Sequence, residues 1–510
     1  MEIRIENGEY WYGGAAADGV SQPFTRGSGY ARDLIVDTSC NQAAPLYLSS
    51  HGRYLWSEAG FSICERDGIL CVTQGSAPVE LADGFGTLRG AYRAACAAHF
   101  PPSGQCPPAL FFTAPQYNTW IELTTNQNQK QILEYAHGIL LHGLPAGILM
   151  IDDGWAPYNG ALRFDGTRFS SARVMVEELH ALGFRVMLWE TPFISPDTNE
   201  FRELKEKGCL LLDAAGVPAV REWWNGYSAV LDMTNPAAVT WLAAKNESLM
   251  KTYGVDGFKM DAGDALYYRE DDRPFLPITP NGQSERWAQF GLRYDYNEYR
   301  ACFKCGGQPL VQRLGDKAHS WGKNGLASLI PNQLTQGLLG YAFTCPDMIG
   351  GGEIGSFRER GEALDAELFV RYAQCAALMP MMQFSAAPWR VLDNEHAALC
   401  TDAARLHEEM AHRIQKLAKE AAVTGEPIVR HMEYVFPHQG FADIVNQFML
   451  GDSILVAPVL EKGQRERNVH FPAGVWKDRE RRSYEGGTVH CVEAPLNRLP
   501  VFWLAEEAEI

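Results

Sequence analysis

The chain has 510 residues, of which 46% are hydrophobic and 21% are charged. This composition is typical of a globular protein with a large core, and the length predicts two or three domains. Lys and Arg number 45 against 62 Asp and Glu, so the formal net charge is −17. A surface this acidic repels phosphate groups, which argues against a nucleic-acid or anionic-membrane partner.

The sequence also carries signals about its compartment. No run of apolar residues is long enough to predict a transmembrane helix. The N-terminal stretch MEIRIENGEYWYGG lacks the basic and apolar regions of a secretory signal. The 12 cysteines are scattered from Cys40 to Cys491, which favours reduced thiols over a disulfide framework. We therefore expect a cytoplasmic protein.

The first 108 residues predict an N-terminal β-sandwich domain. Short β-type runs are broken by Gly and turn residues, and one helical stretch, LRGAYRAACAAHF, follows them. The Pro-rich segment PPSGQCPP, residues 101–108, marks the end of this domain.

Residues 109–424 predict a (β/α)₈ TIM barrel, because strand-like and helix-like segments alternate over about 300 residues. The predicted helices include NQKQILEYAHGILLHG, ARVMVEELHALG and PAAVTWLAAKNESLMKTYG, the last ending at Gly254. An open doubly wound sheet is the alternative, but the Gly-rich phosphate loop that it would need is missing from the sequence. The predicted strands are ALFFTAP, GILMIDD, RVMLWETP, SAVLDMT, DGFKMD, PLVQRL, YAFTCPD and PMMQFS.

Residues 425–510 return to short β runs, such as QFMLGDSILVAPVL and RNVHFPAGVWKD. They predict a C-terminal β-sandwich domain. The barrel is therefore expected to lie between two all-β domains.

Acidic and aromatic side chains follow the predicted barrel strands. Active sites of such barrels lie at the carboxyl ends of the strands, so we expect these side chains to converge. A single carboxylate there is often only a helix N-cap, and a cluster could hold Mg²⁺ or Ca²⁺. Indole faces beside carboxylates suit a sugar, whose C–H surfaces stack on rings and whose hydroxyls donate to carboxylates. The residues are Asp152, Asp153, Trp189, Glu190, Asp261, Asp316 and Asp347.

The strand DGFKMD places Lys259 and Asp261 on the same face, because side chains alternate along a strand. A cation close to a carboxylate keeps it ionised, as a nucleophile requires. The alternative is that Lys259 only neutralises an acidic pocket. The barrel sequence has no H-E-x-x-H spacing or His cluster, so a zinc site is not expected.

Many separated segments resemble glycoside hydrolase family 31, and most closely its subgroup of the myogenesis-regulating glycosidase. YGVDGFKMDAGD is similar to the nucleophile segment of the family, and QRLGDKAHSWG to its acid/base segment. Further similar segments occur in the same order: PQYNTW, EWWNGYSAVLDMT, SLIP, LGY, PDMIGG, MQFSAAPWR and LVAPVLE. The resemblance covers residues 110–480, and the first hundred residues resemble the family only loosely.

The resemblance implies an exo-acting, retaining α-glycoside hydrolase that works by double displacement. It makes Asp261 the nucleophile and Asp316 the general acid/base, and it implies a small glycoside or oligosaccharide as substrate and no cofactor. Retaining enzymes hold the two carboxyl groups about 5–5.5 Å apart.

The resemblance also implies residues that bind the terminal sugar. Asp153 matches a position contacting the sugar hydroxyls, and Asp152 precedes it. Trp224 and Asn225 lie in the WWNG segment that lines the sugar pocket, Arg300 matches an arginine of the subgroup, and Arg313 and Asp347 match pocket positions. With Trp189 and Lys259 the predicted substrate-binding set is Asp152, Asp153, Trp189, Trp224, Asn225, Lys259, Arg300, Arg313 and Asp347.

The subgroup implies an α-galactoside as substrate. α-Glucoside, α-xyloside and sulfoquinovoside remain alternatives within the family, and a sulfonate would need cations such as Arg300, Arg313 and Lys304. Lys304, Cys305 and Gly315 depart from the subgroup pattern. A catalytically silent carbohydrate-binding protein and a transglycosylase are the alternatives of another class. Formation of a homo-oligomer is left open.

Overall fold

The computed structural model describes residues 1–358 and 364–505. Its centre is a sheet of eight parallel strands in which the eighth strand pairs with the first and the sixth with the seventh. The sheet is a nearly closed barrel, so the predicted fold class is confirmed. In chain order the eight barrel strands are Gln116–Asn118, Ile148–Ile151, Arg185–Glu190, Gly257–Met260, Tyr296–Tyr299, Gln312–Arg313, Thr344–Cys345 and Gln383–Phe384.

Helices surround this sheet, and several begin and end at the residues that favour helix termini. Asn235 caps the helix that starts with Pro236, and Gly254 ends it in a left-handed conformation with φ of 83°. Between residues 109 and 424, the helices of eight or more residues are Gln129–Leu141, Ala172–Ala181, Asn199–Glu206, Pro236–Tyr253, Pro280–Gly291, Leu329–Leu338, Ala366–Ala377 and Asn394–Thr424. Shorter ones are Leu110–Thr113, Trp120–Leu123, Ile354–Arg358 and Pro388–Val391.

Two strand predictions differ from the structure, and one barrel strand was not predicted. ALFFTAP contains the helix Leu110–Thr113, and the first barrel strand follows it. SAVLDMT contributes to Gly226–Val230, which lies in a separate antiparallel sheet with Val220–Trp223 and Phe193–Ile194. The fifth barrel strand, Tyr296–Tyr299, was not predicted, because its buried Asn297 and Glu298 hide the apolar pattern.

The N-terminal region forms two sheets around a core that includes Trp11, Phe24 and Tyr47. One sheet has the order Glu2–Arg4, Ile69–Thr73, Ser62–Arg66 and Ala31–Asp33. The other contains Gln42–Ser49, Tyr54–Ser57 and Val79–Ala82, with Trp11–Ala15 paired to Gln42–Ser49. The strand Cys302–Phe303, which follows the fifth barrel strand, joins this second sheet by parallel pairing with Gln42 and Ala43. The helix Leu88–His99 then leads to the barrel.

The C-terminal region packs around Phe471, Trp476 and Phe502. Its larger sheet has the order Val429–Arg430, Phe448–Leu450, Ile454–Val456, Val501–Leu504, Val475–Asp478 and Ser483–Glu485. Glu466–Phe471 and Thr488–Glu493 form a second, two-stranded sheet, and Met432–Val435 is a short helix. Residues 506–510 of the predicted domain lie outside the described residues. Within the described ranges, no helix has both the length and the hydropathy to cross a membrane.

Candidate active site

A cavity of about 570 Å³ opens at the carboxyl ends of the barrel strands. Its walls come from residues in or after seven of the eight strands and from a loop of the N-terminal region. It has an inner end of buried side chains and a more exposed rim. The lining residues are Ser39, Cys40, Asn41, Trp120, Asp152, Asp153, Trp189, Trp224, Lys259, Asp261, Tyr267, Arg300, Gly315, Asp316, Glu353 and Ile354.

Asp261 follows the fourth barrel strand and is buried. Its Oδ1 accepts hydrogen bonds from the backbone N–H of Ala262 at 2.8 Å and from Arg300 Nε at 3.0 Å. Its Oδ2 accepts one from Trp189 Nε1 at 2.9 Å and lies 4.0 Å from Lys259 Nζ. Burial alone would raise the pKa of Asp261, but Arg300, Lys259 and the Trp189 hydrogen bond together hold it well below its usual range. Asp261 is therefore ionised at neutral pH.

Asp152 and Asp153 lie at the inner end of the cavity, after the second barrel strand. Asp152 Oδ2 accepts from Lys259 Nζ at 2.6 Å, and Asp153 Oδ2 accepts from Asn225 Nδ2 at 3.0 Å. Burial and the nearby charge of Asp152 raise the pKa of Asp153 to about 7. The inner end thus has one ion-paired carboxylate and one that takes up a proton near neutrality.

Asp316 lies at the exposed rim, three residues after the sixth strand Gln312–Arg313, and 37% of its side chain is accessible. Arg313 Nη1 donates to Asp316 Oδ1 at 2.9 Å and to Asp347 Oδ1 at 2.7 Å. The other oxygen of Asp347 accepts from the backbone N–H groups of Lys317 and Gly352, at 2.6 and 2.7 Å. Burial raises the pKa of Asp347 to about 7, although Arg313 opposes the shift. Asp347 therefore fixes Arg313, and Arg313 in turn holds the carboxylate of Asp316.

Arg300 follows the fifth strand and connects several parts of the site. Its Nη1 and Nη2 atoms donate to the two oxygens of Asp264 at 2.9 and 2.7 Å, a bidentate pair that fixes the plane of the guanidinium. Nη1 also donates to the carbonyl of Cys40 at 2.8 Å. With the bond from Nε to Asp261, each of the three guanidinium nitrogens donates to a neighbouring residue.

Aromatic rings form much of the rim. Trp224 is 50% exposed, although its neighbour Trp223 is buried. The guanidinium of Arg300 lies over the Trp224 ring, 5.4 Å from its centroid, and the Tyr267 ring lies 6.4 Å away. Trp120 closes another part of the wall and donates from Nε1 to the Gly352 carbonyl at 3.0 Å. An exposed indole beside carboxylates is suited to stacking on a sugar ring.

The structure brings together most of the predicted site residues. Three others do not line the cavity: Asn225 is exposed, contacts Asp153 and lines an adjacent cavity, while Arg313 and Asp347 are buried beneath Asp316. The eight predicted residues that line the cavity are Asp152, Asp153, Trp189, Trp224, Lys259, Asp261, Arg300 and Asp316.

Sequence reasoning missed several lining residues. Trp120 lies in the PQYNTW segment, which was used only for the resemblance and could have indicated it. Nothing in the local sequence indicates Ser39, Cys40 and Asn41, because they come from a different domain. The other lining residues missed are Tyr267, Glu353 and Ile354, and Asp264, which pairs with Arg300, was missed as well.

The residues that line the cavity carry more negative than positive charge. Carboxylates outnumber cations among the lining residues, and each of the two cations, Lys259 and Arg300, contacts a carboxylate. Lys304 lies elsewhere and pairs with Glu58 and Glu285, at 3.2 and 3.6 Å. In the part of the chain that the structure describes, no group of three or more His, Cys, Asp or Glu residues is arranged to hold a metal ion.

Comparison with known protein families identifies both the barrel and the region after it. Residues 106–412 match the glycosyl hydrolases family 31 TIM-barrel domain, and residues 425–507 match the family 31 C-terminal domain. The chain belongs to glycosyl hydrolase family 31. The family predicted from the sequence segments is therefore confirmed.

Individual relatives agree with this membership. The myogenesis-regulating glycosidase of Mus musculus is 36% identical over 412 residues, which cover 79% of this chain and 57% of that protein. The α-xylosidase XylQ of Lactiplantibacillus pentosus is 25% identical over 388 residues, 72% of this chain and 49% of the xylosidase. The chain spans about half the length of the curated relatives that it matches.

Solved structures share the fold. A family 31 dextranase of Flavobacterium johnsoniae, in complex with glucose, superposes with a TM-score of 0.85 at 22% sequence identity. The match covers 99% of this chain and 66% of the dextranase. The similarity therefore includes the N-terminal sheets, for which the sequence showed only a loose resemblance.

Proposed function

We propose that the protein is a retaining α-glycoside hydrolase that removes a terminal α-linked sugar. The observation that carries the proposal is the unequal environment of two carboxylates that line one cavity. Asp261 is buried, in contact with Arg300 and Trp189, and held ionised, whereas Asp316 lies at the exposed rim. Such a difference is what a nucleophile and a general acid require of neighbouring groups.

In the first step Asp261 attacks the anomeric carbon and the glycosidic C–O bond breaks. Asp316 donates its proton to the departing oxygen, so that the leaving group departs as a neutral alcohol. Arg300 and the Ala262 N–H group donate to Asp261 Oδ1, whereas Oδ2 accepts from one donor within the described residues, Trp189 Nε1. Oδ2 is therefore the oxygen with the freer lone pair for attack.

In the second step water hydrolyses the glycosyl-enzyme. The Asp316 carboxylate takes a proton from the water, the hydroxyl oxygen bonds to the anomeric carbon, and Asp261 is released as a carboxylate. Two inversions give net retention at the anomeric carbon. The exposure of Asp316 supports this role, because the residue must meet the leaving group and then solvent water.

The inner end of the cavity supports recognition of a terminal sugar. Asp152 and Asp153 are buried there and have carboxylate oxygens that can accept hydrogen bonds from sugar hydroxyls. The rim carries Trp224 and Asp316, so the rest of the substrate would leave toward solvent. A cavity with a buried inner end and an open rim binds the end of a chain, which favours exo action.

We favour an α-galactoside as the substrate. The support is the similarity of the sequence segments to the subgroup of the myogenesis-regulating glycosidase, together with the 36% identity to the mouse protein of that name. α-Glucosides and α-xylosides are the neutral alternatives. The similarity to an α-xylosidase supports the α-xyloside.

The charge of the cavity disfavours a sulfoquinovoside. A sulfonate has three oxygens that accept hydrogen bonds, but each nitrogen of Arg300 already donates, to Asp261, to Asp264 or to the Cys40 carbonyl. Arg313 is buried behind the cavity, and Lys304 pairs with Glu58 and Glu285. A neutral sugar therefore suits the site better than an anionic one.

A panel of p-nitrophenyl α-glycosides tests the proposal. We expect turnover of the α-galactoside in excess of the α-glucoside and α-xyloside, with the α-anomer of the sugar as the first product by NMR. No turnover of any glycoside would favour the silent sugar-binding alternative. Transfer of the sugar to added acceptors, in place of release to water, would favour a transglycosylase. Co-crystals with galactose and with glucose would then show which epimer at O4 is held.

A further inference from the structure

A short segment of the N-terminal region, residues 40–42, contacts the nucleophile side of the cavity. The Cys40 carbonyl accepts a hydrogen bond from Arg300 Nη1 at 2.8 Å, and Arg300 Nε contacts Asp261 at 3.0 Å. Cys40 has a φ of 55°, a left-handed conformation that is uncommon for a non-glycine residue. Its surroundings hold the carbonyl in the direction that meets the guanidinium.

The same segment contacts the acid/base side. Asn41 Oδ1 accepts a hydrogen bond at 2.7 Å from the backbone N–H of Gly315, the residue before Asp316. A Cβ atom on Gly315 would lie 2.8 Å from the Asn41 amide nitrogen, so a larger residue would require the Asn41 side chain to shift. The departure of Gly315 from the subgroup pattern thus has a structural explanation in the N-terminal segment.

Gln42 joins the two sides. Its Nε2 atom donates to the carbonyl of Arg300 at 2.9 Å and to the carbonyl of Arg313 at 2.8 Å. These arginines contact Asp261 and Asp316 respectively. Gln42 is fully buried, so the loss of its amide would leave two carbonyls without these donors in a region closed to water.

The segment is fixed on its own side as well. Gln42 begins a strand that pairs in parallel with Cys302–Phe303, and Gln336 Nε2 donates to Gln42 Oε1 at 2.7 Å. The loop before it is held by Asn281, whose Oδ1 accepts from the Asp37 backbone N–H at 2.8 Å. The contacts to the catalytic loops therefore come from a rigid support.

We propose that Asn41 and Gln42 are positioning residues that fix the catalytic carboxylates relative to each other. They act through the Gly315 backbone and through the carbonyls of the two arginines, without a role in the chemistry of either step. This inference rests on the proposed function. A displacement of about 1 Å in a catalytic group can cost roughly 100-fold in rate, so small losses of support should be measurable.

The test compares Asn41→Leu and Gln42→Leu with a matched control, Gln22→Leu. Gln22 is also a buried amide of the N-terminal region, but it bonds to the backbone of Gly13, at 2.6 and 2.8 Å, and neither residue lines the cavity. The readouts are the thermal midpoint and kcat/KM on an alkyl and a 2,4-dinitrophenyl glycoside of the sugar that the wild-type protein hydrolyses best. Asn41→Asp, which keeps an acceptor for Gly315, is the conservative variant.

We expect Asn41→Leu to lose roughly 100-fold on the alkyl glycoside and less than about tenfold on the dinitrophenyl glycoside, because only the first needs a well-placed acid. Gln42→Leu should lose activity on both, since both carboxylates depend on it. Asn41→Asp should keep the wild-type ratio between the two substrates. Gln22→Leu should lower the thermal midpoint and leave both kcat/KM values within about twofold.

Two results would overturn the inference while leaving the proposed function standing. One is an active wild-type protein whose Asn41→Leu and Gln42→Leu variants lose no more activity than Gln22→Leu. The other is an equal loss on both substrates in Asn41→Leu. If Gln42→Leu does not fold, the Asn41→Leu variant, which changes a residue of the cavity wall, still tests the inference. A wild-type protein with no turnover of any α-glycoside would instead overturn the proposed function and the positioning role with it.

Discussion

Lys259 Nζ donates to Asp152 Oδ2 at 2.6 Å, and the same ammonium group lies 4.0 Å from Asp261 Oδ2. All three side chains are buried at the inner end of the cavity. Burial alone would lower the pKa of Lys259, but Asp152 and Asp261 raise it above its ordinary value. A permanent positive charge is therefore shared between a proposed sugar-binding carboxylate and the proposed nucleophile.

Replacement of this cation tests its effect on Asp261. In Lys259→Met the pKa of Asp261 should rise, so that a larger part of the enzyme carries a protonated, unreactive nucleophile as the pH falls. We expect the acid side of the kcat/KM profile to move to higher pH, with a loss of roughly tenfold or more at acid pH. Lys304→Met, at a cation outside the cavity, is the control. An unchanged acid side in Lys259→Met would contradict the prediction.

Asp261→Asn should abolish turnover, by roughly 10⁴-fold or more, while the thermal midpoint stays near that of wild type. The amide keeps the shape of the side chain but cannot form the glycosyl-enzyme. Added azide should restore some release of aryl leaving groups and give a β-glycosyl azide, because azide attacks from the face that Asp261 occupied. A near-wild-type rate without azide would remove Asp261 from the mechanism.

Asp316→Ala should discriminate between leaving groups. Alkyl glycosides need protonation of the departing oxygen, so we expect a loss of roughly 10²–10⁴-fold on them. Dinitrophenyl glycosides leave without a proton, and their first step should be much less affected. Azide should now give an α-glycosyl azide, the stereochemistry opposite to that of the Asp261→Asn product. Equal losses on both classes of substrate would point to a structural role for Asp316.

Glu190 gives a prediction about stability. It ends the third barrel strand, is buried, and accepts a hydrogen bond from Asn246 at 2.8 Å on Oε2, while Oε1 has no partner among residues 1–358 and 364–505. Burial raises the pKa of Glu190 from 4.5 to about 8. Between these values the folded protein holds a proton that the unfolded chain releases, so the free energy of unfolding falls as the pH rises.

Glu190→Gln removes this dependence, because a glutamine does not titrate. One pKa unit corresponds to about 1.4 kcal/mol, so above pH 8 the variant should be at least about 2 kcal/mol more stable than wild type. Near pH 4.5 the two should unfold alike in urea titrations. Glu206→Gln, at an exposed helix position, should show no such difference between the two pH values. A variant that is less stable than wild type at high pH would refute the assignment of the buried charge.

The barrel could be predicted because most of its strands are apolar runs between amphipathic helices. Ile148–Ile151 and Arg185–Glu190 show this pattern, and both are found where it places them. Tyr296–Tyr299 escapes it, since Glu298 is buried in the barrel interior, where Gln383 Nε2 donates to it at 2.9 Å. ALFFTAP is the opposite case, because it has the apolar pattern of a strand but is not one. A short apolar run is equally compatible with a buried helix, and tertiary packing makes this one helical.

Part of the site could likewise be predicted from the sequence, and part could not. Acidic residues after strands are visible in the sequence, because parallel strands bring their carboxyl ends to one face. The contact of Asn41 with Gly315 joins residues 274 positions apart, and no local pattern encodes it. The position of Arg313 and Asp347 behind the lining residues is likewise a product of packing that periodicity does not show.

The strand Cys302–Phe303 leaves the barrel and completes a sheet of the N-terminal region by pairing with Gln42 and Ala43. A recombinant fragment that starts at residue 109 would expose this strand as an unpaired edge and invite self-association. It would also lack Ser39, Cys40 and Asn41 from the cavity wall. A chimera of two relatives should therefore keep the N-terminal sheets and the barrel of the same protein. If the N-terminal sheets came from the other relative, part of the cavity wall would come from that relative as well.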